Sequence, residues 1–436
     1  MKLPDIPPDW IWKRLKYVAD LQTGITLGKD YGGRGTTNRP YLRVANVQDG
    51  YLDLETITEV AVLPDEASRY ELRGGDVLLT EGGDFDKLGR GYVWNEQIPG
   101  CLHQNHVFAV RAHQECLNSQ FFAAVITSHH GKAYFTSTSQ QTTNLACTNS
   151  TKIREFPVPL PPLHVQNRIV THLNCETARV DALIEKKERL ITLLEEKRAA
   201  MINRAVTKGL DLSAPMKDSG IPWLGEIPAN WEVKRLLHLT PTDRPVMYGI
   251  VLPGPNVEDG VPVVKGGDVA PGRLRLVLLN RTTREIESGY VRSRLKAGDI
   301  VYAIRGSIGS VELVPEELCG ANLTQDAARV SPKPDVDGCW LLYALRAQCA
   351  FGQVDASAMG ATIRGVNIRD LKRVILAVPP LKEQSEIASY LSRAISTLDE
   401  IIFKTREQIA KFQEYRTALI SAAVTGKIDV RGSAQV

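Results

Sequence analysis

Pro161-Pro162-Leu163-His164-Val165-Gln166-Asn167-Arg168-Ile169 returns 218 residues later as Pro379-Pro380-Leu381-Lys382-Glu383-Gln384-Ser385-Glu386-Ile387. From there the register holds without a gap to Ala205-Val206-Thr207 and Ala423-Val424-Thr425. Residues 157–212 and 375–430 agree at 18 of 56 positions, where unrelated chains of ordinary composition would agree at roughly 6%. Further out, Ile6-Pro7-x-x-Trp10-x-x-Lys13-Arg14-Leu15 recurs as Ile227-Pro228-x-x-Trp231-x-x-Lys234-Arg235-Leu236. The 436-residue chain is therefore a tandem duplication. A unit of roughly 215 residues is too long for a solenoid, so each copy is a globular module plus whatever joins it to its twin.

Each Pro-Pro pair suits the start of a helix. From there to about Lys208, and to about Thr425, proline and glycine are absent and apolar residues fall at coiled-coil spacing. The first stripe is Ile169, Leu173, Val180, Leu183, Leu190, Leu194 and Met201; the second is Ile387, Leu391, Leu398, Ile401, Phe412 and Leu419, with Ala394 among them. Helices of ~40–45 residues would be roughly 60–68 Å long. A stripe of that length cannot be buried on its own compact module, so the two helices are expected to pair with each other. If the duplication is also a two-fold pseudosymmetry, as in a fused dimer, they run antiparallel with the modules at opposite ends. The expected fold class is α+β, with two similar mixed α/β modules separated by two long helices in a pseudo-two-fold antiparallel coiled coil.

Within the modules, Tyr41–Val44, Asp76–Thr80 and Val107–Arg111 read as strands, matched by Val261–Val264, Asp299–Tyr302 and Ala327–Val330. Phe121–Ile126 and Trp340–Leu345 read as helices. The expected divisions are a first module over 1–160, a helix over 161–208, a linker and second module over 209–378, and a second helix with a tail over 379–436. Net charge is only +3 and pI about 8.4, so any nucleic-acid-facing charge must be local or be completed by a partner. Seven cysteines without a C-x-x-C pair point to a reduced, cytoplasmic protein with no disulfide framework or structural zinc. The amino-terminal residues lack a signal-peptide core and no stretch is apolar enough for a membrane span.

Catalytic motifs are missing. Gly24-Ile25-Thr26-Leu27-Gly28-Lys29-Asp30 is one residue short of a phosphate loop and ends in Asp where a metal-binding hydroxyl belongs. Glu195-Glu196-Lys197 lies mid-helix without a partner carboxylate and reads as a solvated face. His103-x-x-His106 and His129-His130 lack companions at ligand spacing and have no counterpart in the other copy. No catalytic or metal residue is expected. What remains is polar loops rich in cations, amides and hydroxyls, groups that contact bases and phosphates. Candidates for DNA contact are Lys29, Arg34, Asn38, Arg43, Gln104, Asn105, Gln141, Thr142, Thr143 and Asn144 in the first copy. In the second they are Lys265, Arg305, Ser307, Thr324, Gln325, Thr362 and Arg364. These loops differ between copies while the scaffold matches, as two modules reading two different sequences would.

Trp223-Leu224-Gly225-Glu226-Ile227-Pro228-x-x-Trp231-x-x-Lys234-Arg235-Leu236, the two Pro-Pro-Leu-x-x-Gln segments and the paired endings Ala205-Val206-Thr207-Lys208-Gly209 and Ala423-Val424-Thr425-Gly426-Lys427 resemble the specificity (S) subunits of type I restriction–modification systems. The resemblance covers essentially the whole chain. It implies two target-recognition domains, each reading half of a bipartite site in double-stranded DNA, and helices that dock two methyltransferase subunits. S-adenosylmethionine chemistry is then expected in those partners, and ATP and magnesium in a restriction (motor-nuclease) subunit, with no cofactor in this chain. The chain itself would be a non-catalytic reader and scaffold. The competing expectations are a coiled-coil adaptor that does not bind DNA and a self-contained enzyme with a spatially assembled site.

Overall fold

The computed structural model describes residues 3–48, 50–83, 91–141, 146–357, 365–428 and 430. Two long helices dominate it, Leu163–Lys208 and Leu381–Val424, each beginning directly after its Pro-Pro pair. The chain divides into two compact units, Met1–Glu188 with Arg406–Val436, and Arg189–Thr405. Each unit therefore holds one module, the start of the helix that follows it, and the end of the other helix.

The first unit's module has one antiparallel sheet in the order Ala19–Thr23, Val107–Ala112, Val77–Thr80, Gly91–Val93, and a second in the order Thr58–Val62, Thr37–Leu42, Leu102–His103. The last pair of the second sheet is parallel. The second unit's module repeats both sheets strand for strand: Met247–Tyr248, Ala327–Val330, Ile300–Ala303, Val311–Leu313, and Asn280–Thr282, Val261–Val264, Asn322–Leu323, again with a parallel last pair. Two helices follow the sheets in each module, Ser119–Thr127 with His129–Thr138, and Gly338–Arg346 with Gln348–Ser357.

The repeated sequence motifs fasten each module to the helices. The strand of the Trp-x-x-Lys-Arg-Leu motif pairs antiparallel with the strand before the prolines, Ile11 opposite Leu160 and Glu232 opposite Val378. The motif's leucine is fully buried, Leu15 donating its N–H to Phe156 O at 2.9 Å and Leu236 to Val374 O at 2.8 Å. Gln166 and Gln384 are buried, and each donates to the carbonyl of the first proline, Pro161 or Pro379, at 2.9 Å. Their oxygens accept the N–H of Asn118 and Asp337 at 2.8 Å, the residues capping helices Ser119–Thr127 and Gly338–Arg346. At the far end of each long helix, a Cβ on Gly209 would meet Trp231, and one on Gly426 would meet Pro7 and Trp10. The tryptophan motif thus closes on the end of the other copy's helix.

Between the helices, Lys187 Nζ donates to Gln408 Oε1 at 2.7 Å, Arg416 pairs with Asp181 at 2.9 Å and Arg198 with Asp399 at 2.8 Å. In the first unit ascending numbers on one helix meet descending numbers on the other, and in the second Arg198 faces Asp399 while a Cβ on Gly209 would stand 3.1 Å from Glu383, so the pairing is antiparallel within each unit. Ile169, Leu173, Val180, Ile387, Leu391, Leu398 and Leu419 are buried, and Leu194, Met201 and Phe412 are half-buried. Leu183, Leu190 and Ile401, expected in the stripe, are instead exposed by 44%, 41% and 41%. In the second helix the buried line runs Ile387, Leu391, Ile395, Leu398, Ile402, Thr405. A helix of 3.6 residues per turn drifts about 20° per heptad from a 3.5 repeat, which moves Ile401 off the seam and Ile402 onto it. No apolar residue between Val180 and Ile202 is buried, because a two-helix seam covers only a narrow line.

Candidate nucleic-acid interface

At one end of each module the two sheets meet in the same backbone frame. In the first, Ile25 N donates to His103 O at 2.8 Å, Asn105 N to Ile25 O at 3.1 Å, Gln104 N to Leu42 O at 2.9 Å and Glu81 N to His106 O at 2.9 Å. In the second, Ile250 N donates to Leu323 O at 2.7 Å, Gln325 N to Ile250 O at 2.9 Å, Thr324 N to Val264 O at 2.9 Å and Ile304 N to Asp326 O at 2.9 Å. The chain approach is close enough to exclude a side chain. A Cβ on Gly24 would stand 2.1 Å from His103 O, and one on Gly249 1.9 Å from Leu323 O. The stretch that looked like a truncated phosphate loop is accounted for by this crossing, and no helix opens after it.

The frame sets equivalences that sequence alone did not show. Arg43 answers to Lys265, each preceding a 3-10 turn whose third residue accepts its N–H, Asn46 at 2.8 Å and Asp268 at 2.9 Å. By the same matching, Gln104 answers to Thr324, Asn105 to Gln325 and His106 to Asp326.

In the second module Lys265, Arg305 and Gln325 line one open cleft of about 1130 Å³ together with Tyr248, Arg273 and Asp326. Gly266 is required beneath them, since its Cβ would lie 2.6 Å from Arg305 O. The cleft's cations Lys265, Arg273 and Arg305 face the carboxylates Asp268, Asp326 and Asp370, with Arg305 4.0 Å from Asp326. Such a balanced lining favours directed hydrogen bonds over a phosphate clamp. Ser307 is exposed. Thr324 is a correction: it is buried, with its hydroxyl 3.5 Å from Val264 O, because its place in the frame turns it inward. Thr362 and Arg364 lie outside the described residues, but Gly365, next in the chain, bridges to Arg305.

In the first module the candidates form two groups. Arg43, Gln104 and Asn105 sit at the frame, where Gln104 Oε1 accepts Val44 N at 3.2 Å and Asn105 Nδ2 lies 3.3 Å from His106 Nε2. Arg43 Nε is buried without a partner among the described residues. Lys29 and Arg34 gather instead around Tyr31 and Glu66: Lys29 Nζ is 2.7 Å from Glu66, Tyr31 donates to Glu66 at 2.7 Å, and Arg34 Nε donates to Tyr31 O at 3.1 Å. Hydrogen bonds from Lys29 and Tyr31 hold the Glu66 carboxyl below its usual range, while loss of solvent and Glu66 push Tyr31 up to about 12. Asn38 is exposed on strand Thr37–Leu42. Thr142, Thr143 and Asn144 lie outside the described residues; Gln141 is in a short strand beside Ala146–Cys147, itself paired with Gly82–Gly83. Sequence reading missed Glu81 with His106, whose side chains pair at the frame, and Tyr248, Arg273 and Asp326. The backbone frame brings out Glu81, His106 and Asp326, and the lining of the second module's cleft adds Tyr248 and Arg273.

The histidine pairs separate. His103 is fully buried, its Nδ1 2.6 Å from Val107 O, and burial lowers it to about 4. His130 is bonded to Pro157 O at 2.8 Å and lowered by burial, while His129 is exposed.

A sequence profile described as the type I restriction modification DNA specificity domain matches residues 7–194 and 258–411, well over half of the chain. The chain belongs to this family. It is 24% identical over 440 residues to the type I restriction enzyme EcoBI specificity subunit of Escherichia coli, covering 99% of this chain and 89% of that one. It is 26% identical over 444 residues to the MjaVIII specificity subunit of Methanocaldococcus jannaschii, covering 98% and 94%. Its fold matches a chain solved in work on complex assembly and conformational transition of the type I R-M system, with TM-score 0.75, 19% identity and 98% and 100% coverage. The HsdS subunit from Thermoanaerobacter tengcongensis follows at TM-score 0.54 and 18% identity, covering 97% and 98%. This member of the specificity family recognises DNA sequence as a subunit of a type I restriction–modification complex, and the adaptor without DNA binding is set aside. No helix among the described residues is long and apolar enough to cross a membrane.

Proposed function

We propose that each module reads one half of a bipartite DNA site through the side chains set on its frame, and that the chain itself catalyses nothing. One observation carries the reading: an identical set of backbone bonds presents Arg43, Asn105 and His106 in one module and Lys265, Gln325 and Asp326 in the other. A shared frame with unlike side chains is what two different half-sites require, Arg and amide groups being suited to base edges. The balanced charge of the second cleft supports a partner completing the grip on phosphate. Two methyltransferase subunits docked on the helices are the proposed partners; exposed apolar Leu190, Leu193 and Phe403 support such docking. S-adenosylmethionine would then act in those subunits, and ATP with magnesium in the restriction subunit.

The test is methylation mapping of cells carrying Arg305→Ala or Gln325→Ala. Loss or relaxation confined to one half of the recognised motif is expected, at about 1–3 kcal/mol per contact. Unchanged methylation in both variants would count against the cleft as a reading surface.

A further inference from the structure

We propose that His113, Glu115 and Cys116 form a binding site for a thiophilic divalent cation of the zinc type, at the junction of the first module with its long helix. Their ligand atoms all lie within 4.8 Å of one another, and this is the cluster of metal-ligating side chains found among the described residues. Imidazole nitrogen, thiolate sulfur and carboxylate oxygen together are a zinc donor set, and a tetrahedral zinc site needs donors about 3.5 Å apart. Glu115 is exposed and His113 and Cys116 are half-buried, so all three side chains can turn toward a common ion. Asp20 Oδ2, 3.4 Å from His113 Nε2, adds a further carboxylate beside the imidazole, an arrangement that raises ligand basicity.

The backbone holding these ligands is fixed in advance. His113 N donates to Val18 O at 2.9 Å, Cys116 N and Leu117 N both bond His113 O, at 3.0 and 2.9 Å, and Leu117 is fully buried. Cys116 O accepts from Gln166 Nε2 at 2.8 Å. The second module begins its corresponding turn alike, with Lys333 N on Leu239 O at 3.0 Å and Val336 N on Lys333 O at 3.0 Å, but reaches its cap Asp337 one residue sooner, without a counterpart of the Leu117 bond. There Lys333 stands for His113, Asp335 for Glu115 and Val336 for Cys116. The start of the turn therefore forms without histidine or cysteine, and the ligand-bearing residues belong to the version that is one residue longer. A bound cation would tie the turn to strand Ala19–Thr23 and stiffen the place where Gln166 grips the module.

The experiment is titration of the full chain with Co2+, reading the thiolate-to-cobalt charge-transfer band in the near ultraviolet. Saturation at one equivalent, displacement by Zn2+, loss of the band in Cys116→Ser and its persistence in Cys175→Ser are expected. Asp20→Asn, at an exposed side chain, should weaken binding by about 10-fold or more with circular dichroism unchanged. It decides the matter if Cys116→Ser fails to fold. Absence of the band, its persistence in folded Cys116→Ser, or unchanged affinity in Asp20→Asn would overturn the proposal. None of these readouts depends on DNA recognition.

Discussion

Gln166 and Gln384 show how one side chain can join three parts of a fold. Gln166 satisfies the Asn118 N–H and the carbonyls of Cys116 and Pro161. Gln166→Ala should cost about 3 kcal/mol or more, since each buried group left unpaired costs about 1–3 kcal/mol. Denaturant unfolding measures this, and a loss below about 1 kcal/mol would contradict the clamp. His103 gives a pH signature. Its pKa falls from 6.5 in the unfolded chain to about 4 in the fold, so between those values the unfolded state holds the extra proton and stability falls as pH falls. The loss would reach about 3 kcal/mol near pH 4. His103→Leu, which places the second module's Leu323 chemistry at this position, should flatten that part of the stability profile. An unchanged slope between pH 6.5 and 4 would show that the fall arises elsewhere.

The long helices were legible in the sequence from end to end, because proline marks the start and an uninterrupted apolar stripe carries the length. Their seam was less so. Ile401 and Ile402 are neighbours in an apolar run, and only the crossing of two real helices decides that Ile402 is 5% exposed and Ile401 41%. Ile402→Ala should cost about 2–5 kcal/mol and Ile401→Ala about 0.5 kcal/mol or less; equal losses in thermal unfolding would refute this phase. The proposed reading also makes the helices a spacer. Four residues inserted between Lys187 and Arg198 add about one turn, or 5–6 Å. The recognised motif should keep both halves and gain between one and two base pairs between them, as methylation mapping would report. A motif with an unaltered gap would sink the spacer role. Five of the six expected strand segments lie within a residue of those observed, while Tyr41–Val44 is the end of a strand that starts at Thr37; Thr324 is buried where exposure was expected, since a single threonine carries no sign of which way its strand end turns.

For the whole molecule, replacing residues 1–160 by the corresponding module of another family member should change one half of the methylated motif and leave the other intact. A change in both halves would mean that the modules do not read independently. The sequence by itself determined the duplication, the helices and the family, because these rest on periodicity and repeated motifs that survive as linear patterns; the antiparallel sense of the pairing, expected only if the duplication is also a two-fold pseudosymmetry, was decided by the contacts between the helices. The tertiary structure decided which side chains stand together: Lys265 with Arg305 and Gln325, Glu81 with His106, Asp20 with His113. Those groups come from strands far apart in the chain. What joins them is backbone hydrogen bonding at crossings where Gly24 and Gly249 leave no room for a side chain, and that is a property of the folded frame.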